Sequence, residues 1–477
     1  MEASVILILT AIAHYALQLA VLLRALIRPG REATSRLAWV LVILSVPALG
    51  VVLYLLLGEV SPGRRRAERM RAVRAGLPTE APGIAQAEVP DRAEAAFGRA
   101  ASVNGFAVLP GNRVSLSDDA SGQLAALVEA IDAAERHVHI VVYIWLTDET
   151  GRALAEAVMR AAARGVTCRV MVDGLGSRAL VRSDLWRAMT AAGVKTRIAF
   201  DTRWAAGRSL LGRVDIRNHR KIFVIDGALA FCGSRNCADP AFLPKAKYAP
   251  WHDVLMRLEG PVVWQVQALF AADWTGGGGD ALSAELAVAP AAAPDGVPGL
   301  AFGTGPDLSP GAVADVVGLL LAAARQEVVI STPYFVPTAG LLEQLRATAL
   351  RGVAVTLILP ARNDSRMVAF ASRATYPGLM QAGVRIVEHA PGLLHAKTLR
   401  VDEGLMMLGS ANLDRRSFEL NFENNILLAD PVATADLAAL QTRWIAASRV
   451  LTAGEVAGWS LPRRLAHNIA AMISPVL

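Results

Sequence analysis

The chain has 477 residues, a formal net charge of +6 at pH 7 and an apolar fraction of 53%. This length is too great for one simple core and predicts two or three structural units. Three cysteines do not make a disulfide framework. A mean hydropathy of +0.38 indicates contact with a membrane, so an anionic lipid surface suits the positive charge better than nucleic acid does.

Two uncharged apolar runs begin the chain. Residues 3–23 and 37–58 are each long enough to cross roughly 30 Å of hydrocarbon as a helix. The short connection between them predicts a transmembrane hairpin over residues 1–60, and Pro47 predicts a kink in its second helix. Only Glu2 precedes the first run, which disfavours the alternative of a cleaved signal peptide. We therefore expect a multi-pass protein of the inner (plasma) membrane.

A basic segment and a linker follow over residues 61–103. Six arginines come directly after the second run, whereas four lie in the hairpin loop, and this difference favours a cytoplasmic catalytic part. The six are Arg64, Arg65, Arg66, Arg69, Arg71 and Arg74. Residues 76–101 are rich in Ala, Glu and Pro, a composition that predicts a linker.

Helix and strand patterns then alternate twice in the same order. In the first half, helices are predicted at 123–136, 151–164, 178–192 and 261–274, and strands at 137–145, 166–173, 194–200 and 229–232. In the second half, helices are predicted at 312–325, 340–351, 364–381 and 431–448, and strands at 327–331, 353–359, 384–388 and 405–408. The small residues of 276–298 separate the halves. This repetition predicts an α/β fold with two similar halves packed together, 104–275 and 299–477.

The pattern His-x-Lys-x-x-x-x-Asp occurs once in each half. Its six members are His219, Lys221 and Asp226 in the first half, and His395, Lys397 and Asp402 in the second. Residues two apart share one face of a strand, so each His projects together with its Lys. A neutral imidazole supplies a nucleophile or a base, and the ammonium offsets the charge of a phosphate. Two such half-sites can hold one phosphate between two histidines.

The motif aspartates have a different predicted role. Each lies seven residues after its His (226 − 219 and 402 − 395), and this odd spacing places it on the opposite face of a regular strand. We interpret both as structural. A catalytic His also needs a carboxylate on its other ring nitrogen. Asp253 and Glu423 are the candidates, downstream of His219 and His395 respectively.

Other polar residues recur at matched distances from each His. Four of them are candidates for binding phosphate: Ser234, Asn236, Ser410 and Asn412. A Lys two residues from each His disfavours a cation site, and no Asp, His and Cys cluster accompanies the motifs. We therefore expect neither a metal nor another cofactor. The ordinary interpretation of a lone His is a buried structural residue, but the doubled motif argues against it here.

At these residues the chain resembles the phospholipase D superfamily, and within it the bacterial cardiolipin synthases. The resemblance covers roughly residues 104–477. Residues 331–337 (STPYFVP) and 409–423 (GSANLDRRSFELNFE) are similar to two segments of that family, and its members also begin with two apolar runs. One departure is mild: residues 233–237 read GSRNC, where the family often has a second Gly and an aliphatic residue.

The resemblance implies a two-step exchange at phosphorus without metal or nucleotide. One His attacks phosphatidylglycerol and forms a phosphohistidine while the other protonates the leaving glycerol. A second phosphatidylglycerol then attacks and yields cardiolipin. The resemblance favours His219 as the nucleophile and His395 as the general acid and base, with Glu423 expected to support His395.

Three alternatives remain open at this point. A hydrolytic phospholipase D or another phosphatidyltransferase would use the same residues. A membrane-bound nuclease or phosphodiesterase is disfavoured by the two apolar runs and the absence of an aromatic-rich basic groove. A membrane scaffold with a dead site is disfavoured because both motifs are complete.

Two further segments interleave basic and apolar residues. Residues 201–218 predict either a lipid-facing loop or an ordinary surface loop. Residues 459–477 predict a helix that packs on the catalytic core with some membrane contact.

Overall fold

The structure is a computed structural model that describes residues 2–28, 33–201 and 213–473. Its α-helices are Glu2–Ile27, Ala33–Ser45, Pro47–Leu57, Arg64–Ala75, Asp91–Asn104, Ala120–Asp132, Glu149–Ala163, Arg178–Val181, Asp184–Ala191, Val262–Gly276, Ser283–Leu286, Ala312–Ala323, Ala339–Leu350, Arg366–Gln381, Arg415–Glu419, Pro431–Ala446, Ala453–Ala457 and Leu461–Ile473. A 3₁₀ helix covers Leu243–Tyr248.

The strands of the first half are β1 (Leu109–Ser117), β2 (His137–Val142), β3 (Thr167–Asp173), β4 (Lys195–Ala199), β5 (Arg217–Asn218), β6 (Lys221–Ile225), β7 (Leu229–Gly233), β8 (Trp251–His252) and β9 (Leu255–Glu259). Those of the second half are β10 (Val297–Thr304), β11 (Glu327–Ser331), β12 (Phe335–Val336), β13 (Ala354–Pro360), β14 (Arg385–His389), β15 (Leu393–Leu394), β16 (Thr398–Val401), β17 (Leu405–Gly409), β18 (Leu413–Asp414), β19 (Asn421–Ala429) and β20 (Ser448–Val450).

The first apolar run forms one long helix. Among the described residues, Glu2–Ile27 is the one helix that is both long and apolar enough to cross a membrane. Most of its large apolar side chains are exposed, as expected for a segment whose solvent is lipid rather than protein.

The second apolar run does not form the single helix predicted over residues 37–58. It bends sharply at Pro47, so that the rings of Trp39 and Tyr54 lie 5.3 Å apart, whereas 15 residues of straight helix would separate them by about 22 Å. Pro47 lacks an N–H and starts a new helix. Gly50 allows the two pieces to meet, because a Cβ there would lie 2.5 Å from the carbonyl oxygen of Val42. The predicted kink is confirmed, and the continuous span is corrected.

The two halves share one continuous sheet. Its order is β20-β14-β13-β11-β16-β17-β19-β10-β1-β9-β7-β6-β2-β3-β4, and the antiparallel pair β1 and β10 joins the halves. Reading outward from that pair, each half repeats the same arrangement of antiparallel strands followed by parallel ones. This confirms the predicted α/β fold with two similar halves.

The core of both halves surrounds the helix Val262–Gly276. Every residue of this helix except Thr275 is buried, because apolar side chains lie on all its sides and the polar Gln265, Gln267 and Asp273 have hydrogen-bond partners. It contacts β10 of the second half as well as β2, β6, β7 and β9 of the first. The core is therefore continuous between the halves.

Part of the predicted linker belongs to this core. The helix Asp91–Asn104 packs against the helix Ala312–Ala323, and the Asn104 side chain exchanges two hydrogen bonds with the backbone of Gly303, at 3.1 and 2.7 Å. Its buried side is composed mainly of small residues: Ala93, Ala96, Phe97, Ala100 and Val103. Because small residues let helices approach closely, the alanine-rich composition reflects packing here. The interpretation of 76–101 as a linker is wrong for this segment.

Candidate active site

Each motif histidine is held by a strand of the opposite half. The short strand β5 pairs in parallel with the start of β19, and the backbone N–H of His219 donates to the carbonyl of Phe422 at 2.9 Å. In the same way β15 pairs in parallel with β8, and the N–H of His395 donates to the carbonyl of His252 at 2.8 Å. The two crossings bring both motifs to the boundary between the halves.

The crossings decide which carboxylate meets which imidazole. Nδ1 of His219 lies 2.9 Å from Oε2 and 3.1 Å from Oε1 of Glu423. Nδ1 of His395 lies 2.6 Å from Oδ1 of Asp253. Both acids were predicted from the sequence, but each was paired with the His of its own half, and that pairing is wrong. A carboxylate on Nδ1 keeps the proton there and leaves Nε2 as the reactive nitrogen.

Both imidazoles are neutral at pH 7 in the unliganded protein. Burial lowers the pKa of His219 to about 4, although Glu423 raises it. Burial also lowers the pKa of His395 to about 4, although Asp253 raises it. Each pKa is lowered further by the lysine of the other motif, Lys397 for His219 and Lys221 for His395. The two half-sites therefore act on each other as one site.

The carboxylates remain ionised. Burial by itself would raise the pKa of Asp253, but His395, Lys397 and Ser234 together hold it at about 2. The pKa of Glu423 is likewise lowered against the effect of burial, chiefly by His219. Each neutral histidine therefore faces a permanent negative charge on its Nδ1 side, which stabilises an imidazolium when one forms.

The two motif lysines lie beside their histidines, as the strand spacing predicts. Nζ of Lys221 donates to the carbonyl of His219 at 2.7 Å, and Nζ of Lys397 donates to that of His395 at 2.6 Å. Burial lowers the pKa of Lys221 to about 8. Burial and the neighbouring Lys221 lower the pKa of Lys397 well below its usual value. Two buried cations so close together disfavour each other, and a bound anion would relieve that cost.

The two serines of the repeated Gly-Ser pair contact carboxylates in this structure. Ser234 donates to Asp253 Oδ1 at 2.6 Å, and Ser410 donates to Glu423 Oε2 at 2.5 Å. A hydroxyl carries a single proton, so neither serine has one left for the phosphate that the sequence analysis assigned to it. In this structure the serines hold the carboxylates that contact the histidines, and a phosphate-binding role for them stays a prediction.

The two asparagines anchor neighbouring loops. Oδ1 of Asn236 accepts from the N–H of Ile144 at 3.1 Å, and Nδ2 of Asn412 donates to the Ser417 hydroxyl at 3.2 Å. Among the described residues, Oδ1 of Asn412 is buried without a hydrogen-bond partner. A phosphate-binding role for either asparagine stays a prediction.

The motif aspartates lie at the far ends of their strands. Asp226 accepts from the backbone N–H groups of Glu135, Arg136 and His137 at 2.7 to 2.9 Å. Asp402 accepts hydrogen bonds from the backbone N–H groups of residues 325–327 in the same way. It also forms an ion pair with Arg92 at 2.5 Å. Both have a positive φ, 53° and 50°, which aspartate tolerates better than most residues. These contacts support the structural interpretation of both aspartates.

Aromatic side chains that the sequence analysis did not single out flank the histidines. The ring of Tyr143 lies 5.0 Å from that of His219, and burial raises its pKa to about 12, so the phenol keeps its proton. The ring of Trp251 lies 4.7 Å from that of His395. Tyr143 directly follows the buried strand β2, and polar residues at strand ends are the signal that would have found it.

A buried polar network lies on the strand face opposite His219 and Lys221. Arg220 lies between His219 and Lys221 but points to the opposite face of the strand, where it pairs with Asp273 at 2.6 Å and donates to the carbonyl of Glu423 at 3.1 Å. Asn218 donates to the other Asp273 oxygen at 2.6 Å. An arginine in a buried strand must have partners, and this requirement was the signal in the sequence.

Metal binding was also considered in the predicted site. Within residues 2–28, 33–201 and 213–473, no group of three or more His, Cys, Asp or Glu residues has an arrangement that could hold a metal ion.

The loop predicted at 201–218 is described only in part, because residues 202–212 lie outside the described residues. Arg213 and Arg217 are buried and paired with Asp215 and Asp173, so these two arginines do not face lipid.

Comparison with known proteins agrees with this geometry. A family model described as "Cardiolipin synthase, PLD-like domain" matches residues 127–274 and 319–444, one match in each half. The chain belongs to the cardiolipin synthase family of phospholipase D-like proteins. A second family model, described as "Phospholipase_D-nuclease N-terminal", matches residues 16–59.

Relatives in the cardiolipin synthase family match over nearly the whole chain. Cardiolipin synthase A of Salmonella arizonae is 34% identical over an alignment of 482 positions that covers 98% of this chain and 98% of the relative. Cardiolipin synthase A of Salmonella paratyphi B has the same identity and coverage. A phosphatidylserine synthase structure from Haemophilus influenzae Rd KW20 is similar with a TM-score of 0.58, over 87% of this chain and 100% of that chain. At 12% identity, that likeness shows the fold alone.

Proposed function

We propose that this chain transfers a phosphatidyl group from one phosphatidylglycerol to another, giving cardiolipin and glycerol. The observation that carries the proposal is the doubled half-site. Two buried neutral histidines each have a carboxylate on Nδ1 and a lysine on the same strand face. The full-length relatives that are named cardiolipin synthase A support the choice of substrate.

The first step forms a phosphohistidine. Nε2 of His219 attacks phosphorus, and the bond from phosphorus to the glycerol oxygen breaks. His395, as an imidazolium held by Asp253, gives its Nε2 proton to that oxygen, and glycerol leaves. The charge of the bound phosphodiester favours protonation of His395, and Lys221 and Lys397 offset the charge that develops on the phosphate oxygens.

The second step reverses the proton transfer. His395 takes the proton from a hydroxyl of a second phosphatidylglycerol, whose oxygen attacks phosphorus and releases His219. The covalent intermediate conserves the phosphodiester bond energy, so no other energy source is needed. Water attacking the same intermediate would instead give phosphatidic acid, and another alcohol would give another phospholipid.

The choice of His219 as nucleophile rests on two points. The resemblance to two-motif relatives favours it, and its side chain is 10% exposed against 4% for His395. Glu423 does not support His395 as the general acid and base, because it contacts His219. The enzyme is mixed with donor lipid, the reaction is quenched early without acid, and the protein is analysed by mass spectrometry. We expect the phosphatidyl adduct on His219. An adduct on His395 alone would invert the two roles.

The N-terminal helices are proposed to anchor the enzyme in the inner membrane. Glu2–Ile27 would cross the bilayer, and the bent pair of helices after it would enter and leave the membrane on one side, because Glu59 at its end pairs with Arg24 of the first helix at 2.7 Å. The arginine cluster would lie on that same side. The halves 104–275 and 299–477 would then lie in the cytoplasm, where phosphatidylglycerol and other anionic lipids of the inner leaflet meet the site.

Purified protein in vesicles with phosphatidylglycerol as the sole lipid substrate tests the reaction. Equal amounts of cardiolipin and glycerol are expected. Phosphatidic acid as the main product would identify a hydrolase. If neither cardiolipin nor phosphatidic acid forms, both the transferase and the hydrolase hypotheses are contradicted. A variant with His219→Ala and His395→Ala controls for contaminating activity.

A further inference from the structure

The C-terminal helix Leu461–Ile473 carries an exposed apolar stripe. Its members are Leu461 (77% exposed), Leu465 (57%), Ile469 (47%), Met472 (71%) and Ile473 (41%). Spacings of four, four and three residues place the first four on one side of the helix. Among the described residues after 58, every other helix has at most one exposed large apolar side chain. The stripe is therefore a local feature of this helix.

The opposite side of the helix packs against the second half of the protein, which together with the first half we call the catalytic body. His467 and Ala470 are buried, and the His467 ring lies 5.5 Å from that of Phe370 on the helix Arg366–Gln381. Trp459 closes the contact, with its ring 4.8 Å from that of His467. Because this side is fixed, the apolar stripe points away from the protein.

The orientation of the helix brings the stripe toward the active site. Trp459 contacts Tyr376 and His467 contacts Phe370, so the C-terminal helix runs back along its partner toward residue 366. That end of the partner follows Asp364, which accepts from the Tyr334 hydroxyl at 2.8 Å. Tyr334 follows β11 as Tyr143 follows β2 in the first half, and Tyr143 contacts His219. The stripe thus approaches the sheet edge that carries the site.

The charge of this segment suits an anionic surface. Residues 456–477 contain no Asp or Glu, whereas Arg463 and Arg464 flank the stripe. The Arg463 guanidinium lies 4.5 Å from the centre of the Trp459 ring, an arrangement common where basic and aromatic side chains meet lipid headgroups. A water-facing helix has no reason to combine these features.

We propose that the helix Leu461–Ile473 lies in the surface of an anionic bilayer, with its apolar stripe among the lipid chains. It would form a second membrane contact, on the catalytic body itself, and would hold the sheet edge that carries the site against the leaflet. This contact is separate from the N-terminal anchor. The contact does not depend on the proposed reaction, although the reaction would explain its use.

Site-specific labelling tests the contact directly. The three native cysteines are buried, so Leu465→Cys can be labelled with an environment-sensitive dye in the full-length protein. Val432→Cys is the matched control: it is an exposed apolar residue, and it follows β19, which starts beside His219 and ends at the opposite sheet edge. In vesicles of phosphatidylcholine and phosphatidylglycerol with brominated chains, the dye at 465 should shift to the blue and lose emission. The dye at 432 should do neither.

Equal quenching at both positions, or none at 465, would overturn the proposal. A blue shift at 465 that is insensitive to brominated lipid would also overturn it, since it would mean that protein covers the stripe. Dependence of that shift on protein concentration would identify a second copy of the chain as the cover.

Activity supplies an independent measurement. Leu465→Glu combined with Ile469→Glu should lower turnover of phosphatidylglycerol in vesicles several-fold relative to Val432→Glu. Turnover of short-chain, monomeric phosphatidylglycerol should stay at the control level. Equal loss on both substrates would count against the proposal. If the wild type turns over neither lipid, the proposed reaction fails while the quenching result still decides the membrane contact.

Discussion

His219 and Glu423 lie 204 residues apart in the chain, yet Nδ1 of the imidazole is 2.9 Å from the carboxylate. His395 and Asp253 form the reciprocal pair across the same boundary. Each half therefore supplies the histidine of one pair and the carboxylate of the other. Neither half contains a complete pair of histidine and carboxylate, so we expect the proposed reaction to need both halves in their native arrangement.

Replacement of either histidine by Ala should abolish nearly all transfer, because each supplies a step that the other cannot. Removing a nucleophile or a general acid costs several orders of magnitude in rate. Lipid product analysis measures the activity, and circular dichroism confirms that the protein still folds. Turnover above about a tenth of wild type in either variant would contradict the two-histidine mechanism.

Glu423→Gln should impair the step at His219, and Asp253→Asn the step at His395. An amide cannot stabilise the imidazolium and favours the wrong tautomer, with a rate loss on the order of 10² to 10⁴-fold. Single-turnover release of labelled glycerol measures this. Glu343→Gln, which removes an exposed carboxylate from its ion pair with Arg346, is the matched control and should keep its activity. Little effect of both buried substitutions would mean that the crossed pairs are not catalytic.

Anion binding should weaken as the pH rises through the pKa of Lys221. Burial lowers this pKa to about 8, so the ammonium is charged below that pH and loses its proton above it. Sulfate keeps a constant charge across this range, and its inhibition constant should rise accordingly. Lys221→Arg stays charged and should reduce the dependence, and Lys397, whose pKa is also lowered, would supply what remains. An inhibition constant that is flat through pH 8 in the wild type would contradict a role for this lysine in binding the anion.

Activity should survive chelation by EDTA, because the lysines supply the positive charge that a metal would otherwise bring to the phosphate. The measurement is cardiolipin formation before and after dialysis against the chelator. Complete loss that a single divalent ion restores would overturn this expectation.

The catalytic body should face the cytoplasm. Glu80→Cys introduces an exposed thiol after the arginine cluster, while the native cysteines are buried. A membrane-impermeant maleimide should label it only after the cells are permeabilised, because the arginine cluster is retained on the cytoplasmic side. Labelling from outside intact cells would reverse the topology.

The sequence by itself determined the parts of the site that depend on local periodicity. The two-residue spacing of His219 and Lys221 places them on one strand face, and the seven-residue spacing to Asp226 places that carboxylate elsewhere. Both features follow from the alternation of side chains along a strand. The repetition of the motif also predicted two similar α/β halves.

Only the tertiary structure decided which residues meet across the boundary. The pairing of β5 with β19 and of β8 with β15 joins segments remote in sequence, and each pair is only two residues long. No local pattern specifies such pairs, so Glu423 was assigned to the wrong histidine. Composition likewise could not distinguish a linker from the buried alanine face of Asp91–Asn104, because alanine suits both. What a small or polar side chain does depends on what packs against it, and long-range packing decides that.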